Sequence, residues 1–475
     1  MAELKREFYE TLKTWKASKG KECLLVKGAR QIGKTFIIEK FGRENYESVI
    51  SLNFIAHPEC IGIFDGSLEA RNIYAGITAV MPEARFITGK TLRFLDEIQE
   101  CPHARTAMKF LAEDGRYDVV ASGSLLGIKY KKGRKRRQPK SIPVGFERQV
   151  IMHSLSLREF LWAKGYDDGF ISHLEGYFQR RESVPEVINA KMHGLLREYI
   201  VVGGMPEVVS GYVDFPHFGE VQRTQEKLLM ACVDDIHKYA EAPDIPKIEQ
   251  CYRAIPRILA KENRKFKYAE VDKMGSARKY LASVEWLKAA RLVSMAECVE
   301  APLTGLSAYV REGWFKLYMS DVGMLCAQYG MPTKLQIIDG SLSGSLKGGI
   351  YENLVAGILE RNGFPLYYHS KDGGRLEMEF VVESAHGVVP VEVKAKSGRS
   401  QSLRTLIRGE HYGDIRWGVK LHGGNLGWSD GILSLPYYVT FLLKRYLSEC
   451  DPLGRVRPVA PNRFDETLKD PWLDA

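Results

Sequence analysis

The sequence predicts an α/β protein: a parallel, doubly wound sheet at the front of the chain, then a helical region, then two smaller domains. Three observations predict it. A glycine-rich stretch, Gly28-Ala-Arg-Gln-Ile-Gly-Lys34-Thr35, lies between an apolar run, Cys23 to Val26, and a helix-compatible run, Phe36 to Phe41. Four short apolar segments alternate with helical ones over the first 125 or so residues, the pattern of a sheet whose strands run the same way. The polar residues that end those segments fall where ligands of such sheets bind, at the carboxyl ends of the strands.

The first element is a helix, because Leu4, Phe8, Leu12 and Trp15 recur at helical spacing. The glycine-rich stretch that follows the first strand has the G-x-x-x-x-G-K-T pattern of a phosphate loop. Its glycines allow backbone N–H groups to approach an anion, and the next helix points its positive end at the same place. Gly28, Ala29, Arg30, Gln31, Ile32 and Gly33 therefore form the expected cradle. Lys34 is the expected contact to the β- and γ-phosphates, and Thr35 the expected Mg²⁺ ligand. Ser48 to Asn53 reads as a second strand. Thr91-Leu-Arg-Phe-Leu-Asp96-Glu97 is a third that ends in two acids. Asp96 is expected to support Mg²⁺ and Glu97 to polarise an attacking water, although acids also suit a helix start. Asp118 to Ser122 is the fourth strand, and a hydroxyl at its end, Ser122 first, suits contact with the γ-phosphate as well as an ordinary turn.

Formal net charge is +9, and the stretch Lys129 to Lys140, with eight basic residues and no acid, accounts for nearly all of it. Lys131, Lys132, Arg134, Lys135, Arg136 and Arg137 are candidate phosphate-backbone contacts to DNA or RNA, or a solvated insertion. Residues 143 to 152 return as a last strand. Ser156 and Glu159 are spaced as a capping box at the start of a helix. Arg148 is a candidate arginine finger or sensor, Arg158 a second, and an ordinary surface role is open for both. Residues 166–245 read as helical. Helices over 248–259 and 276–292, then a hairpin from Leu292 to Val299 and Trp314 to Met319, suggest a winged helix. Gly340 to Gly349 is rich in Gly and Ser and reads as a linker. Beyond it, Glu352 lies on a helix, Glu379 on one strand, and Glu392 and Lys394 on one face of the next. These four suit a metal-dependent nuclease site or a cross-strand ion-pair cluster.

The eight cysteines are scattered without a C-x-x-C pair, which fits neither zinc nor a disulfide framework and suits a reducing cytoplasm. No apolar run approaches the roughly 20 residues of a membrane span, and the amino-terminal residues are charged rather than signal-like.

Together with Ser122-Gly-Ser124, Leu155-Ser-Leu-Arg-Glu-Phe160, Gly203-Gly-Met-Pro-Glu207, Lys316-Leu-Tyr-Met-Ser-Asp321-Val-Gly323, Tyr351-Glu-Asn353 and Pro390-Val-Glu-Val-Lys394, the loop and the acid pair occur in an order that resembles a large prokaryotic family of AAA-type ATPases with a C-terminal domain of unknown function. The resemblance runs from about residue 5 to about residue 440. It implies a P-loop NTPase core of the AAA type over 1–165, a helical lid over 166–245, a winged-helix-like domain over 246–339, a restriction-endonuclease-like PD-(D/E)xK fold over 345–440 and a tail over 441–475. It implies ATP and Mg²⁺ as cofactors. Where that family has an acid-hydrophobic-Asp-Phe strand, this chain has Glu377-Met-Glu379-Phe380, and the longer side chain weakens the case for a nuclease. The expectation is an ATP-binding, ATP-hydrolysing protein that couples nucleotide state to a nucleic acid, DNA first, and that forms a homo-oligomer in the cytoplasm. The alternatives are a regulatory switch with little turnover and an ATP-gated nuclease.

Overall fold

The computed structural model describes residues 3–18, 20–124, 143–180, 182–371, 376–384, 387–394, 400–409, 412 and 415–448. The basic stretch with Lys131, Lys132, Arg134, Lys135, Arg136 and Arg137 lies outside them, as does most of the expected tail.

Helix α1 (Phe8–Ala17) buries Phe8, Leu12 and Trp15, as the spacing predicts. The strands β1 (Cys23–Lys27), β2 (Ser48–Asn53), β3 (Thr91–Asp96), β4 (Asp118–Gly123) and β5 (Glu147–Ile151) form one parallel sheet in the order β2-β3-β4-β1-β5. Helices α2 (Lys34–Asn45), α3 (Ala70–Val80) and α4 (Pro102–Asp114) connect the strands. β1, β3 and β4 are almost wholly buried, which is why they read as continuous apolar runs rather than alternating ones. One face of the sheet packs under α3 and α4 through Ile73, Ile77, Ala104, Met108 and Leu111. The other joins a core that extends through the rest of the chain, from Phe8 to Leu447.

Helix α5 (Leu157–Ala163) starts with the expected capping box: Ser156 Oγ accepts from Glu159 N and the Glu159 carboxylate accepts from Ser156 N. Helices α6 (Asp168–Arg180), α7 (Glu186–Val202), α8 (Pro206–Asp214) and α9 (Phe218–Tyr239) follow. Between α7 and α8, Gly203 has φ +76°, and a Cβ there would stand 2.3 Å from Asp321 Oδ1 and 2.8 Å from Gly323 Cα. Only glycine permits that approach. Next come α10 (Ile245–Leu259), α11 (Tyr268–Val271), α12 (Ala277–Ala289) and the antiparallel pair β6 (Val293–Val299) and β7 (Val310–Met319). That is the helix and hairpin order expected over this region.

Helices α13 (Val322–Tyr329), α14 (Met331–Asp339) and α15 (Gly344–Arg361) lead to β8 (Tyr367–Ser370), β9 (Glu377–Ser384), β10 (Gly387–Lys394), α16 (Gln401–Arg408), β11 (Gly418–His422), β12 (Gly427–Ser429), β13 (Ile432–Pro436) and α17 (Leu443–Ser448). Three expectations are corrected here. Residues 344–349 are the first turns of α15, not a linker. The hairpin β6–β7 is not a free unit either: β6 pairs in parallel with β8, so one eight-stranded mixed sheet runs β12-β13-β11-β10-β9-β8-β6-β7. Leu442, Leu443 and Leu447 are buried, so the core continues past the expected boundary at 440. No described helix is long and apolar enough to cross a membrane.

Candidate nucleotide site

β1 delivers the glycine-rich loop and α2 begins at Lys34, so Gly28 to Thr35 occupies the turn from a buried strand to a helix amino end. The Lys34 ammonium is turned back onto its own loop, donating to Gly28 O at 3.0 Å and Ala29 O at 2.7 Å. Burial pushes it down to about 8, against the pull of the Glu97 and Asp96 carboxylates. Arg6 braces the loop from α1's approach: Nη1 donates to Ile32 O at 2.8 Å and Nε pairs with the buried Glu159 at 3.0 Å. Arg30 reaches the other way and pairs with Asp235 on α9.

Asp96, at the end of β3, gathers the neighbouring strand ends. Its Oδ2 accepts from Thr35 Oγ1 and from Asn53 Nδ2, each at 2.9 Å, and its Oδ1 accepts from Ser122 Oγ. Thr35 and Asp96 thus present hard oxygen donors side by side, a set that fits Mg²⁺ once phosphate oxygens and waters complete the shell. Glu97 follows with φ +54°, a left-handed conformation uncommon for a residue with a side chain, and its carboxylate accepts from the Gln99 amide. Ser122 is therefore committed to Asp96. Ser124, two residues on, has a buried hydroxyl without a hydrogen-bond partner among the described residues. Asn53 and Gln99 went unremarked in the sequence, although Asn53 stands at the end of a strand already identified.

A cavity of about 390 Å³ opens beside the loop, lined by Ala29, Arg30, Gln31, Glu97 and Ser124 from the sheet and by residues of α9, α12 and the end of β7. Arg148 is not there. It pairs opposite Leu24 near the start of β5, at the amino ends of the strands, so it cannot reach this chain's own loop. Arg158 is also elsewhere, 3.6 Å from Glu7 and over the Phe441 ring.

The second candidate site lies in the mixed sheet. Its four expected residues do come together: Lys394 pairs with Glu392 at 3.1 Å, and Val393 N donates to Glu379 Oε2 at 3.3 Å. Glu352, fully buried, accepts from Tyr318 OH at 2.6 Å and pairs with Lys316 at 2.9 Å and Arg264 at 2.7 Å. Lys316 also pairs with Glu377 at 2.9 Å. Burial alone would raise Glu352, but Lys316 and Arg264 hold it below the ordinary carboxylate range. Glu379 goes up to about 7, first through burial, then through the Glu352 and Glu392 charges. The Lys316 ammonium supplies compensating charge to Glu352 and Glu377, whereas both carboxylate oxygens of the buried Glu392 lack a hydrogen-bond partner among the described residues. Among the described residues no cluster of three or more His, Cys, Asp or Glu is arranged to hold a metal. Lys316, Arg264, Tyr318 and Glu377 were not expected in this site. Lys316 and Tyr318 alternate on one face of β7, a pattern legible only once β7 is known to join the same sheet.

The five-stranded parallel sheet, the loop at the end of β1 and the acids at the end of β3 define a P-loop nucleoside-triphosphatase fold, followed by a mixed-sheet C-terminal region. A family model described as an AAA domain matches residues 20–161, one described as a domain of unknown function (DUF4143) matches 347–438, and a further domain of unknown function (DUF8612) matches 193–335. The chain thus carries an AAA-type P-loop domain near its front and a DUF4143 domain further on. Similar solved structures include the Walker-type ATPase PABY2304 of Pyrococcus abyssi (13% identity, 69% of this chain and 96% of that one, TM-score 0.41). They also include the ORC1 protein of Aeropyrum pernix in complex with DNA (11% identity, 71% and 93%, TM-score 0.27) and PCH-2 of C. elegans (12% identity, 41% and 56%, TM-score 0.23). No curated protein matches the chain.

Proposed function

We propose that the protein binds and hydrolyses ATP at Gly28–Thr35 and couples its nucleotide state to a nucleic acid, DNA in the first instance. The observation that carries the ATPase part is the convergence of Thr35, Asn53 and Ser122 on Asp96, beside a buried Lys34. Lys34, released from the loop carbonyls, contacts the phosphates. Thr35 and Asp96 would hold Mg²⁺, which would neutralise charge on the phosphates. Glu97 orients the attacking water. The nucleic-acid part rests on the concentration of charge at 129–140, which directly follows the end of β4. Arg148 lies on the edge strand β5, from which it would act on a neighbouring copy in a homo-oligomer.

ATP turnover at low salt, with and without a panel of DNA and RNA forms and with Lys34→Ala as the blank, tests this. Turnover stimulated by DNA, and ATP trapped by Glu97→Gln, are expected. A second reading has a specific observation behind it: Lys34 is held by its own loop and Glu97 by Gln99, the arrangement of a switch at rest. Tight ATP binding with negligible turnover under every condition would decide for the switch.

A further inference from the structure

Another cavity, of about 460 Å³, lies away from the phosphate loop, where the AAA core meets the carboxyl-terminal region. Glu7, just before α1, and Arg158, in the first turn of α5, stand on one side of it. Arg361 at the end of α15, Phe441 just before α17 and Lys444 within α17 stand on the other.

The lining is charged mainly in one sense. Three cations, Arg158, Arg361 and Lys444, share it with one carboxylate, Glu7. That carboxylate is already engaged: it accepts from Ser156 Oγ at 2.7 Å, and Arg158 Nη1 stands 3.6 Å away, too far for a hydrogen bond. Arg158 rests over the Phe441 ring at 5.3 Å, a contact that holds the guanidinium without using its N–H groups. Arg361 donates from Nη2 to Ser154 Oγ at 2.7 Å. The Nε atoms of both arginines are buried and have no hydrogen-bond partner among the described residues. Lys444 is exposed. A buried donor that has given up water without a protein acceptor in return is costly and uncommon. Two of them on charged side chains that line one cavity call for an acceptor from outside the chain.

We propose that this cavity binds a small organic phosphate monoester, with the phosphate on Arg158, Arg361 and Lys444 and the organic part against Phe441 and the buried Ile358. Guanidinium groups meet phosphate oxygens through a planar fork, and Lys444 adds a third cation. A phosphate dianion matches the excess of the lining, three positive charges less one negative. A bare phosphate would leave most of the space empty, whereas about 300–1,000 Å³ is the usual size of a site for an organic ligand with an apolar wall and a few placed polar groups.

The test uses the full chain and three probes, phenyl phosphate, inorganic phosphate and phenylacetate, titrated by calorimetry at low ionic strength. Because the phosphate loop also attracts phosphate, each probe is titrated into wild type and into Lys34→Ala. Phenyl phosphate is expected to bind Lys34→Ala. In that background Arg158→Gln should bind it about 10- to 100-fold more weakly, the scale of lost charge-assisted hydrogen bonds, with the thermal midpoint nearly unchanged because Arg158 spends no hydrogen bond on the fold. Lys444→Gln should weaken it in the same direction, and Arg158→Lys should recover part of the loss. Inorganic phosphate lacks the apolar contact and phenylacetate the second charge, so each should bind at least about 10-fold more weakly than phenyl phosphate. Loss of all phenyl phosphate binding in Lys34→Ala, or affinity unchanged by both Arg158→Gln and Lys444→Gln, overturns the site. Inorganic phosphate or phenylacetate binding as tightly as phenyl phosphate overturns the class of ligand.

Discussion

Glu379→Gln separates the two descriptions of the mixed-sheet cluster. Glu379 sits among Glu352 and Glu392, with Lys316 and Lys394 on the other side, and its pKa rises from 4.5 to about 7 in the folded chain. The sign follows from proton counting. Between these two values the folded state keeps a proton that the unfolded state has released, so stability falls as pH rises through that window. Above pH 7 the ionised carboxylate costs about 3 kcal/mol, the proton-linked free energy between pH 4.5 and about 7, an upper value because the side chain keeps partial contact with solvent. Glutamine keeps the shape and removes the charge. Urea unfolding at pH 8 and pH 5 is the assay. Glu379→Gln should be more stable than wild type at pH 8 by up to about 3 kcal/mol and nearly equal to it at pH 5, where Glu379 is already protonated. Adding Mg²⁺ or Mn²⁺ should leave both curves unchanged. A variant less stable than wild type at pH 8, or a wild type stabilised by metal and a variant not, would refute the reasoning. The carboxylate would then be ionised and coordinated, as a nuclease requires.

Lys316→Met removes a buried cation from two carboxylates and should cost about 3–5 kcal/mol, read as a lowered unfolding midpoint; a cost below about 1 kcal/mol would mean the pair is not closed in solution. Gly203→Ala should cost about 2–4 kcal/mol, since its Cβ would overlap Asp321 and Gly323 at positive φ, and a neutral substitution would show that this junction is not as tight as described. Neutralising the eight basic residues of 129–140 should flatten the salt dependence of duplex binding, by at most about 7 in log–log slope, and an unchanged slope would remove that stretch from the interface.

The first sheet was legible because its strands are buried on both faces and end in polar residues, so composition and position agree at Lys34, Asp96 and Ser122. The second sheet was legible in pieces. β8, β9 and β10 stood out as strands, but the parallel pairing of β6 with β8 joins residues about 70 apart, and no local pattern encodes it. Gly340 to Gly349 misled for a physical reason. Gly349 is in α15 because a Cβ there would lie 2.1 Å from Leu259 O, so its glycine serves close packing against α10, not chain flexibility. Helix propensity loses to that contact.

These particulars bear on how a nucleotide could be felt at a distance. Ser320 and Asp321 line the cavity beside the phosphate loop, immediately after β7. Asp321 Oδ2 accepts from Ser154 Oγ and from Gly204 N, each at 2.8 Å, tying the AAA core and the turn between α7 and α8 to one carboxylate. Ser154 in turn accepts from Arg361 at the end of α15. One residue before Ser320, Met319 exchanges two backbone bonds with the Asn353 amide, at 2.7 and 3.0 Å, and Lys316 and Tyr318 both hold Glu352. The end of β7 is therefore bolted to α15 at two consecutive residues, Glu352 and Asn353, while Arg291 and Glu360 touch only loosely. A shift of the cavity wall around Asp321 cannot be absorbed locally, because packed interiors move as units rather than deforming continuously. It must carry α15 with it, and α15 packs against the mixed sheet.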